Sequence, residues 1–249
     1  MKKAMLVIFL IALLGISIVG AVVGTTTLLV PTQYSTIQAA IDAANPGDRI
    51  EISVSDTPYD ETLNIYGKSN LTIIGVYDDV RSGYPIIKPS SVTDWNYFGY
   101  TNEKKAAIRI VESNNITIEN LILDCELIKD NGYSAILYAN STGGVFSNDV
   151  FRNMSSSLSP NEDVMIYARA DGGTYSAETR ATLNLSNCEL YDTGKAGLAT
   201  YNYINTSVDH CNFYKTTESY GLGMRICSSS SASINYSTFY GFNYNADDN

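Results

Sequence analysis

Residues able to move a proton, hold a metal ion or grip a sugar are scattered thinly along this chain, and their spacing decides which chemistries stand. The sequence holds one histidine, His210. A histidine base needs an oriented acid partner. Asp209 is adjacent, but neighbouring residues of a strand point to opposite faces, so His210 is expected to be a turn or ladder residue rather than a catalyst. Zinc chemistry lacks ligands. Carboxylates gather at Glu162, Asp163 and Asp171, with Arg169 between them. Such a set could bind Ca2+ for a lyase-type reaction, although a polar loop explains it equally simply. Arg109, Tyr201 and Arg225 fall at alternate positions of β-like segments. Tyrosine rings stack on sugar rings, and the arginine fork holds carboxylates or hydroxyls, so these three form the candidate carbohydrate-binding set. Asp247-Asp248 is a vicinal acidic pair at the very end, read as a solvated tail.

The elements that must position these residues begin with composition. Hydrophobic residues make up 45% of the 249 and charged residues only 17%. With Asn, Ser, Thr and Tyr abundant, this favours many short strands joined by turns, an all-β chain. A formal net charge of -10 leaves no broad positive surface for phosphate backbones, which excludes nucleic acid as a partner. An acidic polysaccharide would need local arginine, lysine or a bridging divalent cation. Met1-Lys2-Lys3 precedes an uncharged apolar run to about Gly24. That is an export segment, and its length fits either a cleaved signal peptide or a retained membrane anchor, the chain's one expected membrane contact. Residues 25–249 then form one domain, located outside the cell or on its surface.

Ser35-Thr36-Ile37-Gln38 reads as a capping box, and Ile37, Ala40, Ile41 and Ala44 share one helical face. The short helix stops at Asn45-Pro46-Gly47, and Ile50, Ile52 and Val54 then alternate as a strand. Later segments repeat. Ile118–Leu123 aligns with Phe146–Phe151, Ser186–Tyr191, Asp209–Tyr214 and Asn235–Tyr240. The alignment gives one small or polar ladder, Asn120, Asn148, Cys188, Cys211 and Ser237, and one apolar ladder, Ile122, Val150, Leu190, Phe213 and Phe239. His210 falls in line with Asn187 and Tyr236. A second strand precedes each segment, so at least five two-strand coils are expected, with Ser155–Arg180 as a looped-out insertion. A helix-free period of roughly 25 residues means a solenoid whose coils bury their apolar faces only by stacking. Cys188 and Cys211 would stack on successive rungs, where either a thiol pair or a disulfide fits; stacked reduced thiols are favoured. Cys125 and Cys227 have no visible partner. The last repeat runs into residues 242–249 without a recognisable cap, so self-association through that coil, or further coils beyond Asn249, is expected.

Tyr34–Ala44 with Pro46-Gly47-Asp48, then Tyr59–Ile65 and Asn70–Gly75, resembles the N-terminal cap of the pectin lyase-like superfamily, closest in style to pectin methylesterases. The resemblance implies a right-handed parallel β-helix with a short N-terminal capping helix, and a polysaccharide or cell-surface glycan as partner. It does not extend to chemistry. The Gln-Asp-Thr-Leu and Val-Asp-Phe-Ile-Phe-Gly segments of the esterases are missing, and the chain reads Arg152–Ser157 without a carboxylate where the first should follow. Polygalacturonase-like Gly-His-Gly and Arg-Ile-Lys are replaced by Gly221-Leu222-Gly223 and Arg225-Ile226-Cys227. The expected function is therefore glycan binding at a cell surface, with no cofactor required. A Ca2+-dependent polysaccharide lyase and a structural filament subunit remain the alternatives. Seven Asn-X-Ser/Thr sequons, beginning at Asn70, Asn115, Asn140, Asn153, Asn184, Asn205 and Asn235, permit glycosylation but discriminate nothing about activity.

Overall fold

A computed structural model describes residues 25–95, 104–128, 132–154, 164–170, 175–176 and 178–243. The chain starts with β1 (Thr27–Val30), helix α1 (Ile37–Ala43) and β2 (Arg49–Ile52). Full coils follow: β3 (Leu63–Tyr66), β4 (Ser69–Gly75) and β5 (Ile86–Ile87); then β6 (Thr93–Trp95), β7 (Lys104–Val111), β8 (Asn114–Glu119) and β9 (Ile122–Asp124); then β10 (Tyr133–Ala139), β11 (Gly144–Ser147) and β12 (Val150–Arg152). The remaining coils are β13 (Val164–Arg169), β14 (Ala181–Ser186) and β15 (Glu189–Tyr191); β16 (Ala196–Tyr201), β17 (Ile204–Asp209) and β18 (Asn212–Tyr220); and β19 (Leu222–Ile226), β20 (Ser231–Asn235) and β21 (Thr238–Asn243).

Corresponding strands of successive coils pair in parallel and make three sheets. Sheet A runs β1-β2-β4-β8-β11-β14-β17-β20, sheet B runs β5-β9-β12-β15-β18-β21, and sheet C runs β3-β7-β10-β13-β16-β19, with β6 antiparallel on β7. This is a right-handed parallel β-helix, with three strands to a coil rather than the two expected. The discrepancy lies at the corner between sheets A and B. There one residue turns the chain, and the apolar pattern runs through without a break. The corner residues Asn120, Asn148, Asn187, His210 and Tyr236 all hold a left-handed backbone, with φ between 47° and 59°. Asparagine tolerates that conformation through local polar contacts, whereas histidine and tyrosine adopt it only when the surrounding ladder over-determines it.

The corner also corrects the ladders. Ser147 pairs with Ser186, and Ser186 with Asp209, so the residue after each corner is Leu121, Asp149, Cys188, Cys211 and Ser237. The interior row of sheet B is Ile87, Leu123, Phe151, Leu190, Phe213 and Phe239. The sequence alignment was one residue out of register for the two earlier coils, while the His210–Asn187–Tyr236 correspondence holds. Ile50, Ile73, Ile118, Phe146, Leu185 and Val208 supply the matching interior row of sheet A. These rows fill the bore, and burying each such side chain stabilises the fold by about 1.5–3 kcal/mol.

The N-terminal end is sealed. Ile37, Ala40 and Ile41 of α1 are buried over the first coil. Thr36 caps the helix, its Oγ1 accepting from Ala39 N at 3.1 Å. The N-cap is thus Thr36 rather than Ser35 of the expected capping box, and the first-turn amides are met not by the Gln38 side chain but by the Glu61 carboxylate, whose two oxygens accept from Ile37 N and Gln38 N at 3.0 Å each. Gln38 instead serves the open edge of sheet C. Its Oε1 accepts from Asn64 N at 2.7 Å and its Nε2 donates to Asn64 O at 3.2 Å, standing in for a missing strand. Buried Asp48 ties β1 to the helix end by accepting from Thr26 N (2.9 Å) and Asn45 N (2.8 Å). Those donors hold its carboxyl below the ordinary range. At the other end the interior residues Ile234 and Phe239 are 45% and 40% exposed. Among the described residues no helix is long and apolar enough to cross a membrane.

Candidate functional site

The leading strands of the coils make sheet C, and their outward side chains form two rows. One runs Asn64, Arg109, Leu137, Tyr167, Ala199 and Arg225; the other runs Tyr66, Val111, Ala139, Arg169 and Tyr201. Arg109, Tyr201 and Arg225 thus share a face, but they do not share a site. Arg109 lies four strands from Arg225, roughly 19 Å at about 4.8 Å per rung. Between them Val111, Leu137, Ala139 and Ala199 are buried and form a second hydrophobic cluster with Tyr167. The face is therefore not one continuous polar groove.

At its N-terminal end, Arg109 is only 9% exposed. Its Nη1 donates to Asn64 Oδ1 at 2.9 Å, and its guanidinium carbon lies 4.9 Å from the Tyr66 ring centroid. Tyr66 donates its hydroxyl to Glu112 Oε2 at 2.7 Å, and that bond with the negative charge behind it pushes the phenol up. At the C-terminal end, the rings of Tyr167 and Tyr201 stack at 5.0 Å and 28°. The Arg225 guanidinium sits 5.7 Å from the Tyr201 centroid. Tyr201 and Arg225 are half-buried, and the Tyr201 ring is flanked by Tyr167 from the preceding rung and by the Arg225 guanidinium from the next. Arg169, beside Tyr201 in the same row, adds a second cation.

Glu162, Asp163 and Asp171, the candidate Ca2+ ligands, lie outside the described residues. Among the described residues no group of three or more His, Cys, Asp or Glu side chains is placed to hold a metal ion. The stretch beginning at Arg152 does face a carboxylate, contributed by the preceding coil. Asp124 Oδ2 accepts from Arg152 Nε at 3.0 Å, and Asp124 Oδ1 from Asn153 Nδ2 at 3.1 Å. Burial alone would push this carboxyl up, but the bonds from Asn153, the Glu126 amide and Arg152 leave it below its ordinary value. It is a shielded, ion-paired anion, poorly suited to protonate anything.

His210 departs from expectation in one respect. The left-handed corner swings it next to its neighbour, and Nδ1 lies 2.9 Å from Asp209 Oδ2. The pair is exposed, and the imidazole stacks on Tyr236 at 4.9 Å. Cys188 and Cys211 are free thiols on adjacent rungs, as favoured from the sequence. Cys188 N donates to Cys211 Sγ at 3.4 Å, and Cys188 Sγ donates to Ser186 O at 3.3 Å. Contact with the other sulfur, then burial, pushes the Cys188 thiol up, while the same contact draws Cys211 down.

One feature was missed from sequence. On the outer face of sheet A, Thr182, Asn184, Asn205, Ser207, Ser231 and Ser233 line an open depression of ≈ 300 Å³. The signal was present as alternating polar residues in β14, β17 and β20, but only the pairing shows that they converge.

No family model matches the chain, and no curated protein matches it. Among solved structures, Escherichia coli YbhC superposes with a TM-score of 0.54 at 14% identity, covering 88% of this chain and 72% of that one. The GH136 lacto-N-biosidase from Eubacterium ramulus gives 0.47 at 10% identity, covering 81% and 52%. The first likeness, with the three parallel sheets, shows that the chain has a right-handed parallel β-helix fold.

Proposed function

We propose that this protein is an exported β-helix that binds a glycan at the cell surface through Tyr201 and Arg225, with buried Tyr167 supporting the Tyr201 ring. The observation that carries the reading is the half-exposed Tyr201–Arg225 pair, backed by Tyr167, at the C-terminal end of sheet C. A tyrosine ring packs against the apolar side of a pyranose ring, and an adjacent guanidinium takes its hydroxyls or a carboxylate. Arg109 belongs to a separate, more enclosed cluster and adds at most a second subsite. With a net charge of -10, neutral polysaccharides are favoured over polyuronates. Affinity electrophoresis through gels containing soluble polysaccharides tests this. Retardation that weakens in Tyr201→Ala and Arg225→Ala, with circular dichroism unchanged, supports it; no retardation, or retardation the two variants leave intact, overturns it.

Filament assembly through the coil that carries Ile234 and Phe239 is a second reading. It predicts concentration-dependent association that charged substitutions at these two positions abolish. The Ca2+-dependent lyase reading rests on Glu162, Asp163 and Asp171, and Ca2+-dependent growth of unsaturated-uronate absorbance would establish it.

A further inference from the structure

On a strand, residues i and i+2 face the same side. A sequon there places its amide and its hydroxyl on one face and its middle residue on the other. Two of the seven sequons obey this on sheet A, Asn184-Leu185-Ser186 and Asn205-Thr206-Ser207; in Asn70-Leu71-Thr72 and Asn115-Ile116-Thr117 the asparagine itself is left-handed, with φ 53° at both. Their middle residues are all buried in the bore. Alternation with polar outward residues is enough to generate the motif, so the sequons alone say little. The side-chain amides separate them.

Asn115 Nδ2 donates to Asn70 Oδ1 at 2.9 Å, which ties the side chains of these two left-handed residues to each other. Asn153 Nδ2 is committed to Asp124 at 3.1 Å. Asn140 is half-buried and engaged in further contacts. Asn205 Oδ1 accepts from Ser231 Oγ. Asn235 is followed by Tyr236 at φ 47, so its motif spans a corner rather than a strand. Asn184 and Asn205 remain, both on the same open depression. Asn184 is the one whose carbonyl is uncommitted as well as its nitrogen: it is exposed, and among the described residues its amide has no hydrogen-bond partner. Its rung neighbours are Val145 and Ser207. With Thr182, Ser231 and Ser233, Ser207 leaves the open space of ≈ 300 Å³ over the amide. Ser186 lies on the same face, its Oγ donating only to Ser147 Oγ at 3.2 Å.

We infer that Asn184 is an N-glycosylation site, so that sheet A carries a glycan. The inference rests on the export proposed above and not on the glycan-binding site. The donor is a lipid-phosphate-linked oligosaccharide, delivered by a membrane oligosaccharyltransferase. Asn184 Nδ2 forms a bond to the anomeric carbon of the first sugar, and the bond from that carbon to the phosphate oxygen breaks. The lipid phosphate leaves with the electron pair, and the amide proton passes to a base of the transferase. The first sugar then lies over Ser207, Ser231 and Ser233, whose hydroxyls can hydrogen-bond it.

The test uses full-length protein purified from the cells that produce it, with cell fractionation, intact mass and analysis of the tryptic peptide Ala181–Lys195, which contains no other sequon. The expected result is surface-fraction protein whose peptide carries a hexose-containing mass addition. The addition disappears in Asn184→Gln and in Ser186→Ala and returns in Ser186→Thr. Surface-fraction protein with this peptide unmodified overturns the site and leaves export standing. Unmodified protein retained inside the cell overturns both.

Discussion

Replacing Gly197 with alanine probes how the bore is packed. A Cβ at Gly197 would lie 2.7 Å from the backbone oxygen of Gly223 on the next rung and 2.7 Å from Cδ1 of Phe213. Phe213 is fully buried and stacked on Phe239 at 4.7 Å, so neither obstacle can move freely. Overpacking of this kind costs about 2 kcal/mol, which for a domain of this size lowers Tm by about 4–8 °C. The preceding coil shows the alternative solution: the position in register with Gly197 is Met165, and the sheet B residue of that coil is Leu190 rather than a phenylalanine. Phe213→Leu should therefore cost about 1 kcal/mol alone yet recover part of the loss in Gly197→Ala, with a coupling of about 1 kcal/mol. Gly223→Ala is a control. There the three atoms nearest the added Cβ all belong to the ring of Phe239, a side chain that is 40% exposed, and none is backbone, so the cost should be smaller than at Gly197. Thermal unfolding followed by circular dichroism measures all four variants. A Gly197→Ala protein melting within a degree of wild type, or strictly additive double-variant losses, would refute the pairing of glycine with ring.

Other expectations are as direct. Asn187→Ala should lower stability by about 1 kcal/mol and Asn187→Gly should not, because φ at this corner is 53°; urea unfolding distinguishes them. Asp48→Asn should weaken the N-terminal cap by about 2 kcal/mol at neutral pH. Because Asp48 has a depressed folded pKa, its contribution is present above the unfolded value of about 3.9 and is lost as pH falls through the folded one. The difference in Tm between wild type and Asp48→Asn should therefore shrink below about pH 4, as thermal scans across the acid range will show. Of the four cysteines, only half-buried Cys227 should react quickly with a disulfide reagent in the native state, since Cys125, Cys188 and Cys211 are buried; four fast thiols would contradict the packing.

Much of the fold was legible because stacking imposes a repeat, and a repeat survives in sequence. The helix face of Ile37, Ala40 and Ile41 and the alternation in each strand mark what is buried. The corner did not show. A left-handed residue is set by ladder geometry, and with His210 and Tyr236 filling a position that Asn120, Asn148 and Asn187 share, side-chain type alone could not fix the register. Alternation also identifies a face but not a row, which is why Arg109 was grouped with Tyr201 and Arg225 across buried Leu137. Contacts between distant segments, such as Glu61 on α1 or Asp124 on Arg152, leave no local signal at all.

The central claim is a glycan site on sheet C around Tyr201. Hydroxyl-radical footprinting, with and without a polysaccharide that retards the protein in affinity electrophoresis, locates it directly. Oxidation of Tyr201 should fall several-fold on binding while Tyr236, which is 83% exposed on the last coil, stays unchanged. Protection confined to Tyr236 and Tyr240, with Tyr201 oxidised as before, would contradict it.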